Sequence, residues 1–293
     1  MDIRNIQKTG NMHYVYLPTS WCRKYHISSS SQVSLEINSD GTLSLYPQVT
    51  KKKQKEINIT IAEDNPELIV KLIMACYLNP ASSFKIQLEK KTDVARIMGQ
   101  KKAISGFEFV ELDGNNITYE SSMSINEPDA LLKTLIKKIR NLLNVMIEGY
   151  NEELIVRFEE EIDRSKMLID KSVTEMLTLN QPSHFKPVDL HYMALMAQHL
   201  ERAVDFLILL GPKEKAFFKE VLGIMEHVKE IIEDLDAITH EKAISLNKKI
   251  IALKQIRIQD VVSSDKRRIR DNLVSIGDVL MDWAINRYMA KTK

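Results

Sequence analysis

Two stretches of this chain set a glutamate four residues ahead of an aspartate: Glu159-Glu160-Glu161-Ile162-Asp163 and Glu201-Arg202-Ala203-Val204-Asp205. On a helix that interval stacks both carboxylates on one face. Left unpaired, like charges so placed destabilise a helix by about 0.2–0.5 kcal/mol per pair. Two such pairs facing each other across a helix bundle ask for a bound cation. The spacing is not selective by itself, because 40 acidic residues in 293 give about five pairs at this interval by chance. Glu226/Glu230 and Glu230/Asp234 are pairs with no evident purpose. A metal site and a set of carboxylates paired with Arg164 and Arg202 are both open readings at this stage.

Other site chemistry finds little support. Each histidine of the helical region lacks a glutamate three residues before it, so the Glu-x-x-His of di-iron bundles is missing. The chain has no P-loop, no GxGxxG, no GxSxG and no HExxH. His191 and His199 stand eight residues apart, near one face of a helix, as additional metal ligands or as structural residues. Hydrolytic or redox chemistry at a metal needs an open coordination position and a base, and no residue is marked for either. The chain reads as non-enzymatic.

Charge is nearly balanced at +1 but uneven. Residues 1–60 carry eight Lys/Arg against four Asp/Glu, and the remainder is net negative. An anion-facing N-terminal part is the implication. Lys51-Lys52-Lys53-Gln54-Lys55 adds a basic link, read first as a solvated connector. Cys22 and Cys76 fit no metal or redox spacing and are expected to pack as small apolar groups. No apolar run approaches the roughly 18–20 residues of a membrane span. Met1-Asp2-Ile3-Arg4 opens no signal region, so a cytoplasmic location is expected.

The elements that must position these residues fall into three stretches. Residues 1–50 read as a β-rich head: strands around Thr9-Gly10-Asn11, a short helix capped by Thr19 or Ser20 and running to about His26, then a hairpin of Val33–Ile37 and Thr42–Tyr46 turning at Asp40-Gly41. So few residues bury too little core to stand alone, which predicts dimerisation. Residues 51–125 alternate as a small β-α-β-α-β-β subdomain, with Leu68, Ile69, Leu72, Ile73 and Met74 inward on its first helix, a second helix over Thr92–Ile104 and a final hairpin around Asp113-Gly114. Residues 126–293 need no strand. Six helices fit, at roughly 128–148, 150–178, 187–210, 213–238, 241–261 and 265–291, and an antiparallel bundle follows. The fold class is therefore mostly α with an α/β N-terminal part. Leu200-Glu201-Arg202-Ala203-Val204-Asp205 has a weak echo in Leu273-Val274-Ser275-Ile276-Gly277-Asp278, which suggests two three-helix repeats.

The acidic segments resemble those of the PhoU family of phosphate-uptake regulators, whose tandem three-helix repeats bind metal through such pairs. The head, with Ile6-Gln7-Lys8-Thr9-Gly10, Tyr14 to Trp21 and Asp40-Gly41-Thr42-Leu43, resembles the AbrB/SpoVT swapped-hairpin domain. The two joined look like archaeal PhoU-type regulators with an AbrB-like head, a likeness that spans nearly the whole chain. It implies metal ligands at Glu159, Asp163, Glu201 and Asp205, for Fe, Mg, Mn, Ca or, less comfortably, Zn. Val274 in place of a glutamate, and Ser245 where an aspartate would pair with Glu241, leave at most one complete site. The likeness also implies DNA-backbone contacts from Arg4, Lys8, Arg23 and Lys24, eight charges in a homodimer. Docking onto a phosphate ABC transporter or a signalling protein, restraining phosphate uptake, is its functional implication. The alternative is an AbrB-type transcriptional regulator whose bundle serves only sensing or oligomerisation.

Overall fold

The computed structural model describes residues 3–37, 41–47, 55–93, 97, 110–113, 115–120, 127–179, 185–253 and 255–291. The lysine run at 51–53, most of the helix expected over Thr92–Ile104, and the turn positions Asp40 and Gly114 lie outside these residues. The protein is mostly helical, with small sheets in its N-terminal part. It divides into two compact units, Met1–Lys53 and Gln54–Lys293.

The first unit holds two separate antiparallel hairpins. β1 (Gln7–Thr9) pairs with β2 (Met12–Tyr14), and β3 (Ser34–Ile37) pairs with β4 (Leu43–Tyr46). Gly10 turns the first at a φ of +61°, a left-handed conformation that glycine adopts without a Cβ clash. Between the hairpins lies α1 (Thr19–Lys24). Its N-cap is Pro18 and no side chain caps it, so the expected Thr19 or Ser20 cap is not formed. Proline at this point presets the entry angle, and Thr19 becomes the first helical residue.

The second unit begins with a four-stranded sheet in the order β5-β6-β8-β7. β5 (Lys55–Ile61) runs parallel to β6 (Ala81–Leu88), which is antiparallel to β8 (Asn116–Glu120), itself paired with β7 (Val110–Asp113). The crossover is α2 (Pro66–Leu78), capped by Asn65, whose side chain accepts from the Glu67 amide at 2.9 Å. Alternate residues Phe84, Ile86 and Leu88 face a core with Ile69, Ile73, Ile97 and Ile117. Leu68 does not join it: it is 48% exposed, and Val70, Cys76 and Tyr77 take the inner face with Ile69 and Ile73. The stripe thus follows 69, 70, 73, 76 and 77, one helical face, which leaves 68 outside it.

Six long helices follow: α3 (Pro128–Glu148), α4 (Glu152–Leu179), α5 (Pro187–Leu207), α6 (Lys215–Ile232), α7 (His240–Ala252) and α8 (Val261–Lys291). α3 packs on α4, α4 on α5, α6 on α7 and α7 on α8, while α3 meets α6 and α5 meets α8. Leu132, Leu135, Ile139, Leu142 and Met146 form the buried stripe of α3. Three helix bounds differ by several residues from the sequence expectation. α6 ends at Ile232 because the Asp234 carboxylate takes the amides of Asp236 and Ala237, closing a tighter turn instead. α7 stops at Ala252 and α8 begins at Val261, since Asp260 and Ser263 exchange hydrogen bonds that start a new helix. Among the described residues, no helix is long and apolar enough to cross a membrane.

Candidate metal centre

α4 and α5 lie side by side, each with its apolar stripe turned to the core: Ile155, Ile162 and Ile169 on α4, Leu200, Ala203, Val204 and Leu207 on α5. Asp163 follows Ile162, and Glu201 and Asp205 follow Leu200 and Val204. All three acids are held at the edge of the stripe, half-buried. They converge across the helix pair, each offering an oxygen within 4.8 Å of the others. Glu159, one turn before Asp163, falls outside this group of three. It is close enough that Asp163 and Asp205 both disfavour its charged form.

Burial pushes all four carboxyls up, and repulsion from neighbouring acids adds to it for Glu159, Asp163 and Glu201. Desolvation is the leading cause in each case. Glu201 is affected most: burial first, then the Asp205 charge, raise it to about 7. None of the four makes a hydrogen bond or an ion pair among the described residues. Arg164 and Arg202 do not pair with them, so that reading is not realised; Arg202 only eases the charge on Glu201 and Asp205 from a distance. Lys166 does the same, but its ammonium is engaged by Asp170 at 2.8 Å. The charge of the cluster is therefore only partly offset, by Arg202 and Lys166 and without direct pairing.

The donor set is all carboxylate. That chemistry fits a hard cation with oxygen ligands at 2.0–2.6 Å, such as Mg, Mn, Ca or Fe, better than Zn, which favours nitrogen and sulfur. The histidines do not contribute. His199 Nδ1 lies 3.4 Å from Asn272 Oδ1 on α8, and His191 packs beside Tyr192. In the second half of the bundle, Asp278 and Asp282 are exposed and Val274 is apolar. There α7 and α8 are closed by Asn247, whose amide donates to the Gly277 carbonyl at 2.9 Å.

In the head, Arg4, Lys8, Arg23 and Lys24 are all exposed. Arg23 and Lys24 sit in the last turn of α1, where cations also complement the helix dipole. Sequence reasoning missed Lys166, for which the Lys166/Asp170 interval was a signal, and the buried Lys171. No protein-family model, curated protein or solved structure matches this chain.

Proposed function

We propose that this protein is a non-enzymatic phosphate-homeostasis regulator, PhoU-like in its helical part, that restrains phosphate uptake by docking on a transporter or signalling protein. The observation that carries this reading is the convergence of Asp163, Glu201 and Asp205 from two helices, the arrangement the PhoU likeness implies. The packing of α3 on α6 and α5 on α8 supports two three-helix repeats. A cation held by Asp163, Glu201 and Asp205, with Glu159 beside them, would neutralise the cluster and rigidify the α4–α5 contact. In this reading the AbrB-like head forms a homodimer in the cytoplasm and presents Arg4, Lys8, Arg23 and Lys24 to the DNA backbone. Asp163→Asn combined with Asp205→Asn should abolish stoichiometric metal and lower bundle stability. Elemental analysis of purified protein reads the first effect, and unchanged metal content refutes the cation.

A second reading has its own support. The second acidic repeat is replaced by tight Asn247–Gly277 packing, as suits a transcriptional regulator whose bundle only senses or oligomerises. Removing residues 1–55 separates the two. Phosphate transport that stays regulated favours docking by the bundle; loss of regulation favours action on DNA.

A further inference from the structure

Apart from the carboxylate cluster, α4 buries a charged pair in a different setting. Lys171 is 5% exposed and Glu175 2%. The Lys171 ammonium leaves the bundle and enters the sheet subdomain. It donates to the Tyr77 carbonyl at 3.0 Å and lies 4.1 Å from the centroid of the Tyr77 ring and 5.6 Å from that of Tyr119. Tyr77 is in the last turn of α2, where carbonyls lack helical partners and the dipole is negative. Lys171 thus caps α2 from another element. Met167, one turn earlier on α4, enters the same core, and Tyr119 stacks on Phe84 at 5.1 Å.

The two charges are unequally satisfied. The ammonium has a carbonyl, a helix terminus and two aromatic faces. The carboxylate has one oxygen 4.0 Å from Lys171 Nζ, beyond hydrogen-bond reach, and its second oxygen is buried without a partner among the described residues. Ser172 Oγ, three residues before it on α4, is likewise buried with no partner among the described residues. Burial pushes the Glu175 carboxyl up and the Lys171 ammonium down. Parting the subdomain from α4 returns both charges to water. An apolar pair of similar volume gains nothing from that release, and exchanges of this kind are often stabilising.

We propose that Lys171 and Glu175 form a release latch, through which the sheet subdomain parts from α4 as a unit while the bundle stays folded. The buried charges set how often it opens. The latch is independent of any cation at Asp163.

Hydrogen exchange on the full chain tests this. In the native protein, segment 66–88 should exchange faster than the bundle segments 128–148 and 187–207. In Lys171→Met/Glu175→Leu, exchange of 66–88 should slow by about tenfold with the bundle unchanged. Lys171→Met/Glu175→Gln, which removes both charges while keeping the outline of the carboxylate, should slow it severalfold. Exchange of 66–88 that is unchanged or faster in Lys171→Met/Glu175→Leu overturns the latch, as does native exchange of 66–88 in step with the bundle. Should that double variant fail to fold, Lys171→Met/Glu175→Gln decides: slower exchange supports the latch, and equal or faster exchange overturns it.

Discussion

Glu201 governs how the carboxylate cluster responds to pH. Its carboxyl titrates at about 7, against an ordinary value of 4.5, because burial and Asp205 both oppose its charge. The folded protein therefore holds that proton more tightly than the unfolded chain does. The resulting stability is fully present below pH 4.5 and is lost as pH rises through about 7. Asp163, Asp205 and Glu159 shift the same way. Cation-free protein should thus weaken between about pH 5 and pH 8, with Glu201 contributing about 1–2 kcal/mol after discounting for its partial exposure. Urea unfolding with a chelator present measures this. Glu201→Gln should flatten the slope, and a flat wild-type profile would contradict the burial and repulsion that raise this carboxyl. Divalent cation should reverse the trend, because the deprotonated carboxylate is the ligand. The acids were legible in sequence because a four-residue interval fixes one helix face whatever surrounds it. The partner of His199 was not, since Asn272 comes from a helix distant in sequence; Lys166, with Asp170 one turn on along its own helix, was readable but passed over.

At the scale of elements, Gly277 opposes two rules. In the interior of α8, helix propensity alone favours alanine by about 0.5–1 kcal/mol. Packing points the other way: an added Cβ collides with the Asn247 side chain and comes within 3.1 Å of Ile250 Cδ1. Asn247 has little freedom to move, because its amide is tied to the carbonyls of Ala243 and Gly277. Gly277→Ala should therefore destabilise by about 1–3 kcal/mol. Adding Asn247→Ala should restore part of the loss, which denaturant midpoints of the three variants will show. A stabilised single variant would mean that propensity outweighs the close approach. The start of α8 rests on a cap, and Asp260→Ala should cost about 1 kcal/mol by the same measurement. The long helices were readable because their apolar stripes repeat over several turns. Their ends were less so: Asp234 and Asp260 act through local hydrogen bonds that compete with propensity, and each moves a boundary by several residues.

For the whole molecule, the first unit is the part on which the proposed assembly rests. None of its described residues is buried, while Ile3, Ile6, Met12 and Ile37 are each more than two-thirds exposed. A unit of about 50 residues with its apolar side chains in water lacks the burial that offsets chain entropy, and in the proposed dimer a second copy would supply it. The full chain should sediment as a dimer, and Ile6→Asp with Ile37→Asp should shift it toward monomer. Binding to DNA would follow assembly, because one head offers four exposed cations and a dimer eight. Fluorescence anisotropy on the protein's own upstream duplex and a scrambled one, at about 50 and about 200 mM salt, should then show affinity that falls steeply with salt. Changing Arg4, Lys8, Arg23 and Lys24 to glutamine should weaken binding and flatten that dependence, as fewer counterions are released. The monomerising pair carries every one of those cations and should still lose affinity. If it binds as tightly as wild type, DNA contact does not require the dimer; if wild type fails to bind at low salt, the head serves assembly alone.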